Sequence, residues 1–129
     1  MTTPIRLLAV DDEERFVSTL ARLLSLRNMQ VSVALSGEDA LEKFSPGAFD
    51  VALVDVKMPG ISGVDLLTEL KKQDPELEVI ILTGHASVDI AAEIMSRGGS
   101  DYLLKPCPTA EVEAKILSAM DRRAARSGG

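Results

Sequence analysis

Apolar positions along this chain alternate between two periods. Nearly continuous apolar runs at residues 5–10, 50–54, 78–82 and 101–104 have the length of strands; the first predicts a strand covered on both faces and the second a central strand. Between the first two lies a weaker run. There Val31, Val33 and Leu35 alternate with Gln30, Ser32 and Ala34, the signature of a half-exposed edge strand. The stretches that separate the runs are helical in period. Residues 14–27 place Phe16, Leu20, Leu23 and Leu24 on one face with Arg15 and Arg22 pointing away. Ser36-Gly37-Glu38 opens a short helix with Ala40, Leu41 and Phe44 inward, stopped by Ser45-Pro46-Gly47. A helix over 62–72 buries Val64, Leu67 and Leu70 and breaks at Gln73-Asp74-Pro75-Glu76. A fourth covers 87–97 and ends at Gly98-Gly99. The last starts near Thr109 and carries Val112, Ile116, Met120 and Ala124 at a spacing of four, before a Ser127-Gly128-Gly129 tail.

Five β/α units in succession predict an α/β fold, a flavodoxin-like doubly wound (βα)5 sandwich on a parallel five-stranded sheet. With strand two at an edge and strands one and three central, the expected order is 2-1-3-4-5, which sets strands one and three together where the winding reverses. At 129 residues the chain suits a single domain over 1–129, with a core at about 5–124 and a disordered tail at 125–129.

Composition narrows the function classes. A net charge of −6 argues against direct nucleic-acid binding, and Arg122, Arg123 and Arg126 read as solvated charges at a helix terminus. No apolar run is long enough to cross a bilayer, and Met1-Thr2-Thr3-Pro4 reads as a short polar lead-in with no signal-peptide pattern. A lone cysteine, Cys107, excludes an internal disulfide and fits a reducing cytoplasm; it reads as a small packing residue.

The chemistry lies where the runs stop. The first ends in Asp11-Asp12, the third in Asp55, the fourth in Thr83 and the fifth in Lys105-Pro106. The carboxyl ends of parallel strands are where ligands bind, so three carboxylates, a hydroxyl and an ammonium would share one cleft. Two unit charges about 4 Å apart cost roughly 4 kcal/mol at an effective dielectric near 20, so three crowded carboxylates call for compensating charge. Lys105 supplies one positive charge. A hard divalent cation fits the rest, because oxygen-only donors favour Mg²⁺ (or Mn²⁺) over zinc. In such a pocket a carboxylate can take up a phosphoryl group. The metal and Lys105 would meet its oxygens, Thr83 would rotate toward them, and Gly84 would leave room for the movement.

Val10-Asp11-Asp12-Glu13, Asp55-Val56-Lys57-Met58-Pro59-Gly60, Leu82-Thr83-Gly84 and Asp101-Tyr102-Leu103-Leu104-Lys105-Pro106 stand in order, each at a strand end. In these motifs the chain resembles the receiver domain of two-component response regulators, from about residue 5 to 123. The resemblance implies a regulatory phosphoacceptor rather than an enzyme, with Asp55 as the acceptor. It implies Asp12 as a direct Mg²⁺ ligand, Asp11 as a mainly water-mediated one, and the Lys57 carbonyl completing the site. Thr83 would be the switch hydroxyl, Lys105 the phosphate-contacting ammonium, Tyr102 the aromatic that swings inward, and Lys105-Pro106 a cis bond. The implied partners are a sensor histidine kinase or phosphotransfer protein and a downstream effector or output domain. They would be met through the fourth helix, fifth strand and fifth helix, a surface that also suits a phosphorylation-dependent dimer.

Other readings compete. Asp12, Glu13 or Thr83 would serve as plain helix caps, and Tyr102 as ordinary packing. His85 is a candidate for tuning dephosphorylation. An aspartate-based phosphohydrolase needs a second acid two positions past its nucleophile, where this chain has Lys57. A receiver-like module that binds without being phosphorylated would tolerate loss of Asp55, Lys105 or an acid at 11–12, and all are present. A flavin carrier of the same fold would meet carboxylates where its phosphate binds.

Overall fold

A computed structural model describes residues 3–85 and 87–128; Met1, Thr2 and Gly129, which belong to the expected lead-in and tail, lie outside the described residues. The elements run β1 (Ile5–Val10), α1 (Glu14–Ser25), β2 (Met29–Ala34), α2 (Gly37–Lys43), β3 (Val51–Asp55), α3 (Gly63–Gln73), β4 (Glu78–Thr83), α4 (Val88–Ser96), β5 (Asp101–Leu104) and α5 (Thr109–Gly128). All strand pairs are parallel, in the order β2-β1-β3-β4-β5 expected from the pattern.

Strand alternation divides the core in two. Leu8 and Val10 of β1, Ala52 and Val54 of β3, and Val79 and Ile81 of β4 face α2, α3 and α4, where they meet Leu66, Leu67, Leu70 and Ile94. Leu7, Val51, Leu53, Ile80 and Leu82 point the other way, onto Leu20 and Leu24 of α1 and Val112 and Ile116 of α5. Every residue of β3 and β4 is buried, which is why those runs are apolar without alternation. Three helices begin on a serine whose hydroxyl accepts a backbone N–H: Ser36 from Asp39, Ser62 from Asp65 and Ser87 from Ile90.

Several expected faces shift. In α1 the buried row is Val17, Leu20 and Leu24, with Val17 1% exposed and Leu23 37%. The apolar stripe is wide enough to offer two rows, and packing on the sheet selects the one spaced three and four apart. In α5, Ala119 is buried where a strict spacing of four had pointed to Met120 and Ala124; at 3.6 residues per turn, each step of four drifts about 40° off the buried face. At the end of β2 the alternation reverses. Ala34 is buried beside Val10, and Leu35, past the strand, is exposed.

The α5 arginines are not free charges. Arg123 reaches Asp50 at 2.8 Å, Arg126 reaches the buried Glu78 at 3.1 Å, and Arg122 donates to the Ser100 carbonyl at 3.4 Å. They tie the end of α5 to the starts of β3, β4 and β5. The helix also continues to Gly128, through residues 125–128 that had been expected to begin the tail.

Candidate functional site

Register brings the acids together. Val10 pairs with Val54, so the residues that follow, Asp11 and Asp55, stand side by side as β1 and β3 end. Carboxylate oxygens of Asp11, Asp12 and Asp55 all lie within 4.8 Å of one another. Asp11 is 1% exposed and Asp55 6%, whereas Asp12 is open to solvent. The back of the site is shaped by Gly63, the first residue of α3. Its N–H donates to the Val56 carbonyl at 2.9 Å, and a Cβ there would overlap the Asp55 carbonyl oxygen.

Lys105 enters from the end of β5. Its N–H donates to the Thr83 carbonyl at 2.8 Å, and the Lys105-Pro106 bond is cis, as the resemblance implied. The Nζ atom stands 2.7 Å from Asp11 Oδ2, 2.9 Å from Glu13 Oε1 and 3.3 Å from Asp55 Oδ1, and lies 4.5 Å from the centre of the Phe16 ring. Three carboxylates thus surround one ammonium. Burial opposes the charge on Lys105, but the Asp11 and Glu13 carboxylates beside it hold it above the ordinary lysine range. Burial and the Asp11 charge also push Asp55 up, to about 6, against the pull of Lys105.

Asp11 Oδ1 accepts the Glu13 N–H at 2.9 Å. Its Oδ2 is buried and has no aligned hydrogen bond, even with the Lys105 ammonium in ion-pair range; among the described residues no other buried side-chain nitrogen or oxygen is left so. An orphaned anionic oxygen beside two further carboxylates, with no nitrogen or sulfur donor in the cluster, fits a hard divalent cation.

Thr83 is buried, and its hydroxyl is engaged within its own turn. It donates to the His85 carbonyl at 2.9 Å and accepts the His85 N–H at 3.1 Å. Thr83 is not a helix cap, because Ser87 caps α4. Asp55, Lys57, Thr83, Gly84 and His85 line a cavity of about 370 Å³, and the space around Gly84 is open. Tyr102 is half-buried on β5 and, with Ser87, Val88, Ala91 and Met95, lines a neighbouring groove along α4. Cys107 packs beside the α1–α5 core, and burial pushes its thiol up, consistent with a packing role. Neither Asp12 nor Glu13 caps α1 through its side chain: the cap position is Glu13, whose carboxylate forms no cap hydrogen bond.

Two members of the site were missed in the sequence. Glu13 had been weighed only as a cap and Phe16 only as core, yet both touch Lys105 from 92 and 89 positions away. Their one sequence signal is position, in the first residues after the acidic pair.

The response regulator receiver domain family matches residues 7–117. Transcriptional regulatory protein PrrA of Mycobacterium leprae is 34% identical over 120 residues, covering 93% of this chain and 52% of that protein, so the chain spans about half the length of this relative. A CheY-like response regulator receiver domain protein from Methanospirillum hungatei has a TM-score of 0.90 at 27% identity, covering 96% of this chain and 99% of that one. A response regulator protein from Burkholderia pseudomallei has a TM-score of 0.80 at 29% identity, covering 95% of this chain and 72% of that one. The matched span runs through all four of the strand ends that carry the motifs and takes in the whole acidic cluster; the chain belongs to the response regulator receiver domain family.

Proposed function

We propose that this receiver domain is a phosphoacceptor switch in which Asp55 takes a phosphoryl group from a phosphohistidine kinase, a phosphotransfer protein or a small acyl phosphate. The observation that carries the reading is the convergence of Asp11, Asp12 and Asp55 around an orphaned buried oxygen, with Lys105 alongside. An Asp55 carboxylate oxygen forms the new bond to phosphorus while the donor's bond to phosphorus breaks and the donor leaves with that electron pair. Asp11, Asp12, Asp55 and the Lys57 carbonyl are the groups to hold Mg²⁺ (or Mn²⁺), with Asp12, the exposed acid, binding directly and Asp11 mainly through water. When bound, the ion neutralises charge on the carboxylates and the phosphoryl oxygens. Support comes from the Burkholderia pseudomallei response regulator, which was solved with a phosphorylated aspartic acid and a calcium ion.

Lys105 already stands 3.3 Å from Asp55 and pairs with an oxygen of the new group. Thr83 gives up its two bonds to His85 and turns toward another. The His85 turn moves with it, and Tyr102 follows inward along the α4 groove, changing the α4-β5-α5 surface that an effector, an output domain or a second copy reads. Val88, Met95, Leu104 and Leu117 are the large apolar side chains exposed on those elements. The reading places the chain in the cytoplasm, bound to neither membrane nor nucleic acid; the net charge of −6 disfavours the latter, and no described helix is long and apolar enough to cross a membrane.

Lys57 stands two positions past Asp55, where an aspartate-based phosphohydrolase needs an acid, and this disfavours an enzyme. A module that binds unphosphorylated has no use for the buried charge at Asp11 and Asp55. The test is intact mass after incubation with Mg²⁺ and acetyl phosphate. One added phosphoryl group in the native chain and none in Asp55→Asn is the expected result; uptake persisting in Asp55→Asn would remove Asp55 from the role, and continuous turnover of a phosphate ester would favour the hydrolase.

A further inference from the structure

We infer that Glu13 is a positioning residue that competes with the phosphoryl group on Asp55 for the Lys105 ammonium, and so restrains phosphorylation of this chain. The inference rests on the phosphoacceptor reading above. Two independent observations carry it. Glu13 occupies the N-cap of α1, where an acidic side chain ordinarily turns back to the helix amides, yet it makes no cap hydrogen bond. Its carboxylate instead reaches across to the residue after β5 and accepts from Lys105 Nζ at 2.9 Å, nearer than the 3.3 Å to Asp55.

The backbone enforces this reach. Asp11 Oδ1 takes the Glu13 N–H at 2.9 Å, which fixes the turn between β1 and α1. Phe16, one turn further on, lies under the ammonium at 4.5 Å. Lys105 is therefore held by Asp11, Glu13 and the Phe16 face before any phosphoryl group arrives, and only the Glu13 contact is largely open to water, at 66% exposure of that side chain. It is the partner most easily exchanged. When a phosphoryl oxygen forms next to Asp55, Lys105 must share its donors with it, and Glu13 is the contact to be given up. Removing that contact leaves the ammonium freer to turn to the developing charge, and the worth of an exposed ion pair sets the expected gain at roughly two- to fivefold in rate.

Glu13 also adds a negative charge that repels an anionic donor at long range, so the variants must separate contact from charge. Glu13→Gln removes the charge and replaces the ionic contact with at most a weaker one from a neutral amide oxygen. Glu13→Asp keeps the charge but is one methylene too short to hold the contact. Phosphorylation by acetyl phosphate in Mg²⁺, followed by intact mass, is expected to run about two- to fivefold faster in both variants than in the native chain, and to stay faster in about 0.5 M KCl, where long-range repulsion is screened. In the Mg²⁺-free chains the Lys105 ammonium resonance should move in both variants, a readout that a purely structural role would leave in place. Acceleration in Glu13→Gln alone, lost in salt, would reduce Glu13 to a surface charge and overturn the inference, as would rates equal to or slower than native in both. Absence of uptake by the native chain would overturn the phosphoacceptor reading and this inference with it, whereas native uptake with unaltered variants overturns this inference only.

Discussion

Replacing Asp55 with asparagine should make the metal-free protein more stable at neutral pH, although it removes the proposed phosphoacceptor. Asp55 is 6% exposed, and burial together with the Asp11 charge raises its carboxyl from an ordinary 3.8 to about 6, after Lys105 has exerted its favourable pull. A rise of that size corresponds to roughly 3 kcal/mol of penalty on the charged form at pH 7.5. An amide of the same shape escapes that penalty but must itself be desolvated and gives up Lys105, so the net gain is about 1–3 kcal/mol. For a domain of this size that is on the order of 3–10 °C in melting temperature. The sign with pH follows from linkage. Because the folded-state value lies above the unfolded one, the native chain has its full stability from this group below about pH 4 and loses it as pH rises through about 6. Thermal unfolding in EDTA should therefore show Asp55→Asn above the native chain at pH 7.5 and the gap closing toward pH 4.5. Adding Mg²⁺ at pH 7.5 should narrow or reverse the gap by stabilising the native chain alone. An Asp55→Asn variant less stable than native in EDTA at pH 7.5, or a gap indifferent to pH, would refute the crowding argument.

Thr83→Ala should still take up a phosphoryl group but fail to transmit it. Tyr102 is the only tyrosine and there is no tryptophan, so the phosphorylation-dependent change in intrinsic tyrosine fluorescence expected of the native chain should fall to near zero in the variant. Gly63→Ala should cost about 3 kcal/mol in urea unfolding, because the added methyl overlaps the Asp55 carbonyl oxygen and forces β3 and α3 apart. Arg123→Ala should cost about 1 kcal/mol at pH 7, measured by the same method. Burial alone would push Asp50 up, but hydrogen bonds from Arg6 and Arg123 hold it below its ordinary value, so that loss should be present above about pH 4 and fade as pH falls through the depressed value.

What could be read from the sequence were features whose cause is local. The run ends at Asp11, Asp55, Thr83 and Lys105 are set by strand length, and buried central strands announce themselves by lacking alternation, so the strand order and the meeting of the three acids followed. Features decided between distant elements were hidden. Val17 and Leu23 are equally apolar on equally helical spacing, and only the sheet beneath α1 chooses between them. The arginines of α5 read as solvated because their acceptors, Asp50 and Glu78, are 73 and 48 positions away. Glu13 hid for the same reason. A carboxylate at an N-cap has an ordinary local explanation, and its real partner, Lys105, lies just past β5. The two bonds that occupy the Thr83 hydroxyl also lay beyond sequence reasoning, since they depend on how the loop after β4 turns.

The most direct measurement is to locate the modified residue itself. After incubation with acetyl phosphate and Mg²⁺, borohydride reduction converts an aspartyl phosphate to homoserine, which peptide mass spectrometry assigns to a position. The account predicts homoserine at residue 55, dependent on Mg²⁺ and lost on chelation. Homoserine at 11 or 12, or labelling at 55 that is indifferent to Mg²⁺, would contradict it.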